Sequence, residues 1–139
     1  RDMVNNLIEK QEKSPLSKEE EKKLNLMSRC VEEKLRSLQG MLDAGVVCVA
    51  GDDAGLPLTP FDRFWQELDA MAAGGMTAMQ AMVAATKTAA TAMGRLDEIG
   101  SITVGKQADI IAVESDPCRD ITALANPSFI MRAGRIYRQ

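Results

Sequence analysis

The chain has 139 residues, of which 45% are hydrophobic and 27% charged, as is typical of one soluble globular domain. A formal net charge of −3 argues against nucleic acid as a partner, and no apolar run reaches the roughly 20 residues that cross a bilayer, so no membrane partner is expected. Histidine is absent, which excludes a Ser-His-Asp triad, a histidine general base and a histidine-bound metal site built from this chain alone.

The three cysteines, Cys30, Cys48 and Cys118, are far apart and odd in number. They form no CxxC pair and no metal-ligand spacing, so we predict free, buried thiols in a reducing cytosol. The first ten residues lack the apolar core of a secretory signal, which also favours a cytoplasmic protein. The chain opens at Arg1 without an initiator methionine, as we expect of a fragment or a processed product.

The first long helix is predicted over residues 17–44. The polar segment 1–16 ends in Ser14-Pro15, and Ser17-Lys18-Glu19-Glu20 is a capping box in which Ser17 caps the helix and Glu20 reaches back. The apolar residues that follow recur in steps of three and four, as on one face of a helix: Leu24, Met27, Val31, Leu35, Leu38 and Leu42. Gly45 stands where the C-terminal cap is expected.

A candidate site follows this helix directly. Val46-Val47-Cys48-Val49-Ala50 is short, β-branched and apolar, which predicts a strand buried on both faces in a parallel sheet covered by helices. It leads into Gly51-Asp52-Asp53-Ala54-Gly55, at the strand end where parallel α/β folds bind ligands. Two carboxylates flanked by glycines suit a metal or a polarised water, but glycine and aspartate also form ordinary turns.

Two more helices are predicted in the middle of the chain. Thr59 and Pro60 open the first, which ends at Gly74-Gly75, and a capping box of Thr77 and Gln80 begins an Ala- and Met-rich helical stretch to about residue 93. The methionines there indicate core packing rather than a ligand cluster. Four apolar residues near the first of these helices either line part of a substrate pocket or pack in the core: Leu56, Leu58, Phe61 and Trp65.

Residues 99–139 are predicted to be mostly β. Ile102 and Val104 alternate before a turn, residues 110–113 read as a strand, and residues 129–137 read as a hairpin that turns at Ala133-Gly134. Weaker candidates for function lie around these elements. We expect Asp109 to accept hydrogen bonds from turn amides, Asp97-Glu98 to lie in a solvated loop and Lys87 to be a charge on a helix face. Gly94 and Gly100 are expected to have a backbone role.

Four stretches in this order resemble the amidohydrolase superfamily, in the group around imidazolonepropionase-like enzymes and Xaa-Pro dipeptidases. They are AGVVCVAGDDAG (44–55), ELDAMAAGGMTAMQAMVAATKTAATAMG (67–94), GSITVGKQADIIAVESDP (100–117) and FIMRAGRIYR (129–138). The resemblance implies an α/β fold: a (β/α)8 barrel with metal at the C-terminal ends of its strands, and a small β-sandwich made from both chain ends. Residues 1–98 would then be the last helix–strand–helix portion of the barrel, with its last strand at 46–50, and residues 99–139 the C-terminal share of the sandwich.

The resemblance also implies a role for Asp53. It matches the family aspartate that binds metal, positions the attacking water and carries its proton to the leaving group. Asp52 departs from the threonine usual before that aspartate, which leaves the role of Asp52 open. The family's metal-binding histidines and any bridging lysine lie on earlier strands that this sequence lacks, so the implied divalent metal, zinc by preference, is not expected to bind tightly to this chain alone.

Two functions of different class follow from these observations. The first is a fragment of a metal-dependent hydrolase, inactive as an isolated chain. The hydrolase would act on a small-molecule or dipeptide-like substrate and cleave an amide-like C–N bond, as in Xaa-Pro peptides, or an ester bond. The alternative is a non-enzymatic, self-associating helical-plus-β module, which the lack of histidine favours. In either case the apolar stripe of the long helix and the unpaired strand predict a homo-oligomer.

Overall fold

A computed structural model of the chain describes residues 2–55 and 61–139, with side chains described from residue 8 onward. It begins with two helices, α1 over Asp2–Lys13 and α2 over Lys18–Asp43. The predicted capping box is confirmed, because the Ser17 N–H donates to Glu20 Oε2 at 3.0 Å and the Glu20 N–H donates to Ser17 Oγ at 3.3 Å. α1 was not predicted as a helix, but it ends at the predicted boundary, since proline disfavours helical backbone in the residue before it.

Gly45 turns the chain away from the end of α2, as predicted. Its φ of +73° is a left-handed conformation that glycine adopts without steric cost. The Gly45 N–H donates to the Leu42 carbonyl and the Val46 N–H donates to the Met41 carbonyl, both at 2.9 Å. This pair of bonds is a Schellman motif, which satisfies carbonyls that the helix leaves without partners.

The strand predicted at 46–50 is not formed, and the expectation that it is buried on both faces is wrong. Within the described residues this segment has no ladder partner. Cys48 and Ala50 pack against the core, whereas the side chains of Val47 and Val49 are 77% and 44% exposed. The physical reason is that a strand exists by pairing, and a segment with strand composition stays irregular where no neighbouring strand lies beside it.

The next helix, α3, covers Trp65–Ala73 and starts later than predicted. Thr59 and Pro60, expected to open it, lie outside the described residues, and residues 61–62 form a turn instead of helix. The predicted end is confirmed, because Gly75 has a φ of +111° and the Met76 N–H donates back to the Met71 carbonyl at 3.2 Å.

The helical stretch predicted from Thr77 to about residue 93 is confirmed, with one irregularity. Its start carries the predicted capping box, in which the Thr77 N–H donates to Gln80 Oε1 at 2.7 Å and the Gln80 N–H donates to Thr77 Oγ1 at 3.2 Å. The stretch consists of α4 over Ala78–Val83, a π-helical turn over Ala84–Thr88, and α5 over Ala89–Ala92. We call Ala84–Thr88 the π turn below.

The C-terminal part forms one antiparallel sheet of three strands in the order β1-β2-β3: Ile110–Ala112, Phe129–Arg132 and Arg135–Arg138. The hairpin is confirmed, with positive φ at both Ala133 and Gly134, as a two-residue type I′ turn requires. The β structure predicted from the alternation of Ile102 and Val104 is not formed. Both side chains are almost fully exposed, and the segment from 101 to 109 is instead a series of turns and bends.

The core joins the helical and the β parts. Its buried members come from α3, the α3–α4 connection, α4, the π turn and a short 3-10 helix at Ile121–Ala125: Leu68, Met71, Met76, Ala81, Ala84 and Ile121. α2 contributes no buried residue to it. This mixture of helix and strand agrees with the predicted α/β class, while the barrel and the sandwich stay predictions.

The three cysteines are free thiols, as predicted, but the expectation that they are buried is wrong. Cys30 and Cys118 are exposed and Cys48 is half-buried. The reason for Cys30 is its place on α2, which packs no side chain fully into the core. Of the helices that the structure describes, none has the length and apolar character that a bilayer crossing needs.

Candidate active site

The Asp52-Asp53 loop leaves the core at a fixed point of the backbone. The Ala50 N–H donates to the Ala84 carbonyl of the π turn at 3.3 Å, and Ala50 itself packs against the core. Beyond this anchor Gly51, Asp52 and Asp53 are exposed. The two carboxylates that the sequence singles out therefore face solvent, in a loop whose backbone is anchored to the core at Ala50.

The glycine at the end of this loop has a left-handed backbone conformation and lies against an aromatic ring. Gly55 has a φ of +98°, and a Cβ on it would lie 3.0 Å from Cζ of the Phe61 ring. The ring of Phe61 is itself 81% exposed. Of the four residues proposed as pocket lining, Leu56 and Leu58 lie outside the described residues, Phe61 covers Gly55, and Trp65 is half-buried at the start of α3.

A third carboxyl group, Glu67 of α3, lies within electrostatic range of the loop, which the sequence did not predict. The pKa of Glu67 is raised above its ordinary value of 4.5, first by burial and then by the negative charge of Asp52, with a smaller contribution from Asp53. The positive charge of Lys34 on α2 opposes this rise. The charges of Lys34, Asp52 and Asp53 therefore all act on Glu67, although Lys34 and Glu67 are 33 residues apart in sequence (34 to 67).

No local pattern marks Glu67 or Lys34 before the structure is known. Lys34 belongs to a charged helix face of the usual kind, and Glu67 stands in the first turn of α3, where an acid stabilises the helix dipole. Their proximity to the loop arises from the packing of α2 beside α3. Only contact information between these helices would have revealed it.

These residues do not make up a complete metal site. Within residues 2–55 and 61–139, no group of three or more His, Cys, Asp or Glu side chains is arranged to hold a metal ion. Asp53 is one oxygen donor, and structural or catalytic zinc sites take three or four protein ligands, usually including histidine or cysteine. This chain can therefore supply one ligand of a metal site but not the complete set of ligands.

An apolar groove opens beside the loop, between α2, α3 and the segment 46–49. Its volume is about 430 Å³, and Lys34 and Glu67 are the charged residues that line it. The apolar lining comes from both helices and from the segment between them: Leu35, Leu38, Met41, Val46, Val47, Cys48, Val49, Ala70 and Met71. Four consecutive residues of the segment predicted as a buried strand, 46–49, line this groove.

The weaker candidates have structural roles. The Ala133 N–H in the hairpin turn donates to Asp109 Oδ1 at 2.7 Å, so the expectation that Asp109 satisfies turn amides is confirmed. Lys106, in the GKQAD motif, donates to the carbonyls of Leu96 and Ile99 and to Ser101 Oγ. Glu98 is exposed and ion-paired with its neighbour Arg95, as expected of a solvated loop. The motif residues after position 99 thus hold loops together.

Comparison with known proteins gives consistent matches. The sequence model of the amidohydrolase family matches residues 3–138. An ochratoxinase of Aspergillus niger is 31% identical over 109 residues, which are 75% of this chain and 22% of the relative. A solved Xaa-Pro dipeptidase with methionine bound in its active site is 33% identical, with a TM-score of 0.70, over 76% of this chain and 25% of that one.

A solved molinate hydrolase is 31% identical, with a TM-score of 0.62, over 71% of this chain and 25% of that one. The chain therefore spans about a quarter of the length of the relatives that it matches.

Proposed function

Because the chain belongs to the amidohydrolase family, we propose that it supplies the Asp53 loop to the active site of a hydrolase that cleaves amide-like C–N bonds. The observation that supports this most is the family match over residues 3–138, which contains the Asp52-Asp53 loop anchored on the core. The named relatives suggest the substrate class. A Xaa-Pro dipeptidase and an ochratoxinase are among them, so we propose a small-molecule or dipeptide-like substrate, with ester bonds as a second possibility for the same chemistry.

Asp53 has the chemistry for proton transfer. It is exposed and therefore accessible to water. Its Oδ accepts the proton of the attacking water and then donates that proton to the leaving nitrogen, as a general base and then a general acid. A divalent metal, zinc by preference, supplies carbonyl polarisation and an acidified water when bound. Asp53 would be one of its ligands, with the others provided from outside these 139 residues.

Asp52 and Glu67 surround Asp53 with negative charge. The negative charges of Asp52 and Asp53 disfavour a further negative charge nearby, and they add to the effect of burial in raising the pKa of Glu67. A cation bound at Asp53 would relieve this repulsion, so the cluster favours a cationic partner over an anionic one. Asp52 is proposed to affect that charge balance rather than to transfer a proton.

The segment 46–50 is proposed to become the last strand of a barrel when neighbouring strands lie beside it. Cys48 and Ala50 already face the core, and the exposed side chains of Val47 and Val49 leave the opposite face available for a covering element. The barrel share over residues 1–98, the sandwich share over 99–139 and a cytoplasmic location belong to the same proposal.

The reaction class is tested by assaying the protein that carries this chain against N-acyl amino acids, Xaa-Pro dipeptides and matched esters. We expect hydrolysis of an amide substrate that a chelator abolishes and that added Zn²⁺ restores. Hydrolysis that survives complete metal removal, or activity on none of the panel, contradicts the proposal. Sequencing the reading frame upstream of Arg1 is a further test, in which a His-x-His on a predicted strand would support the proposal by supplying the missing ligands.

The isolated 139-residue chain is proposed to be inactive and unable to retain stoichiometric zinc through dialysis, because one carboxylate does not close a metal site. Elemental analysis after dialysis checks this. Tight one-to-one zinc would mean that the described residues rearrange into a complete site.

One observation favours the alternative of a self-associating module. The apolar groove between α2 and α3 exposes valine and methionine side chains that a second copy could cover, and its rim carries one positive and one negative residue, Lys34 and Glu67. In a two-fold symmetric pair the Lys34 of each copy can face the Glu67 of the other. A homo-oligomer is therefore proposed for the isolated chain, whether or not the larger protein is an enzyme.

A further inference from the structure

The π turn contacts the two segments that flank it in the fold. On one side the Ala84 carbonyl accepts the Ala50 N–H at 3.3 Å. On the other side Gly100 lies so close that a Cβ there would be 2.5 Å from the Ala90 Cβ and 3.0 Å from the Thr86 carbonyl oxygen. The π turn is thus held between the segment that leads to Asp53 and the loop that begins the C-terminal part.

The helix on either side of the π turn is anchored in the core. Ala81 of α4 and Ala90 of α5 are 0% and 1% exposed, and Ala84 within the turn is 3% exposed. A π turn contains one residue more than the α-helix can accommodate, so it persists where the packing on both sides fixes it, and such turns are frequent at functional sites. The widened turn places the Ala84 carbonyl where a group outside the helix reaches it.

The distance along the chain from this contact to the candidate catalytic residue is short. Asp53 follows Ala50 by three residues, which span at most about 10 Å of extended chain. Residues 46–49 have no strand partner among the described residues, and Gly51 to Asp53 are exposed. The Ala50–Ala84 bond is therefore the last backbone anchor before Asp53 among the described residues, and it lies closer along the chain to Asp53 than any pairing that residues 46–49 would make in a barrel.

We propose that the π turn is a positioning element for Asp53, in which the Ala84 carbonyl fixes Ala50 and thereby the start of the loop that carries the carboxylate. The proposal rests on the role of Asp53 in the proposed function. It assigns Ala84 a part in the reaction that acts through Ala50 and touches neither substrate nor metal.

The first test deletes Lys87, an exposed residue of the π turn. Removing one residue turns a π turn into regular α-helix and keeps the faces of α4 and α5 in register, so the helix itself is retained. In the 139-residue chain we expect faster hydrogen exchange at the Ala50 amide. In the active protein that carries the chain we expect kcat to fall by about 10- to 100-fold with KM and metal content unchanged, since a misplacement of about 1 Å costs on that order. Lys87→Ala is the matched control, because it removes the charge and keeps the π turn.

A second variant removes the hydrogen bond without changing the helix. Ala50→Pro eliminates the N–H donor and fixes the backbone φ, and Ala50→Gly keeps the donor, so a lower kcat in the proline variant than in the glycine variant is the result that the positioning role predicts. Circular dichroism checks that both variants fold. We expect the proline variant to have the lower kcat at equal metal content, as for the deletion.

Each outcome decides the matter. Rapid Ala50 exchange together with a selective loss of kcat supports the positioning role. Rapid Ala50 exchange with full kcat in the deletion variant overturns it, and so does full kcat in the folded proline variant, which has no amide hydrogen at position 50. Unchanged exchange after the deletion shows that the π turn does not hold Ala50. If Asp53→Asn itself leaves turnover normal, the proposed function fails instead, independently of the exchange result.

Discussion

Replacing Gly100 by alanine probes the close approach of the backbone at Gly100 to α5 and the π turn. Gly100 has a φ of +87°, and its would-be Cβ meets Ala90, the Thr86 carbonyl and Cα of Lys87 at 2.5, 3.0 and 3.3 Å. Two of these three atoms belong to backbone and the third to a fully buried alanine, so none can move aside cheaply. Gly94 is the matched control, because it has a φ of +67° and nothing within 4 Å of its would-be Cβ.

The cost of the left-handed backbone and the cost of the steric clash can be separated by their expected free energies. A left-handed conformation costs an alanine about 1–2 kcal/mol relative to glycine, and both variants incur this cost. Gly100→Ala adds the cost of forcing a methyl group into packed structure, about 1–3 kcal/mol. We therefore expect a loss in the free energy of unfolding of about 1–2 kcal/mol for Gly94→Ala and about 2–5 kcal/mol for Gly100→Ala.

Urea unfolding of the 139-residue chain, followed by circular dichroism, measures the difference. We expect a lower midpoint for both variants, a clearly larger shift for Gly100→Ala, and the same dependence on urea in all three proteins. Equal losses for the two glycines would refute the close packing of this loop on the π turn, and with it one of the two contacts that hold the turn in place.

Three further predictions concern charge and association. Asp109→Ala should lower the melting temperature at pH 7. The Ala133 N–H lowers the pKa of Asp109, and the stability that this gives is lost as the pH falls through the lowered pKa, so the difference in melting temperature between the variant and the parent chain should narrow below pH 3.8. An equal difference at all pH values would contradict this prediction. Glu67→Gln should raise the melting temperature at pH 7, because burial and the charge of Asp52 raise the pKa of Glu67 and the fold therefore disfavours its ionised form. Well below pH 4.5 the carboxyl group is neutral and the substitution should have no effect. A lower melting temperature of the variant at pH 7 would contradict this prediction. Light scattering should show a dimer or larger assembly that Val47→Asp weakens, whereas a cooperative monomer of 15.1 kDa would exclude self-association through the groove.

Features that depend on neighbouring residues in the sequence were predictable. The capping boxes at Ser17 and Thr77 need only two residues three apart, and both form as the sequence indicates. The turn at Gly45 and the hairpin at Ala133-Gly134 likewise follow from local conformational preference. In each case the stabilising interaction lies within one helical turn or one β-turn, so the sequence window contains both partners.

Features that depend on distant partners were not predictable. Segment 46–50 has the composition of a strand, yet pairing decides whether a strand forms, and no partner lies beside it in the described structure. The π turn Ala84–Thr88 has nothing in its composition that separates it from α-helix, since packing on both sides fixes it. The same limit applies to the candidate site: the Asp52-Asp53 loop is visible in sequence, whereas the approach of Glu67 requires the packing of α2 and α3.

The role of Asp53 is tested most directly by the turnover of Asp53→Asn in the active protein that carries this chain, at saturating substrate and equal metal content. Asparagine keeps the size of the side chain and the fold but cannot accept the proton of the attacking water. We expect kcat to fall by about 10²–10⁴-fold, and Asp52→Asn to have a smaller effect. Near-normal turnover of Asp53→Asn with its metal bound would contradict the proposed role.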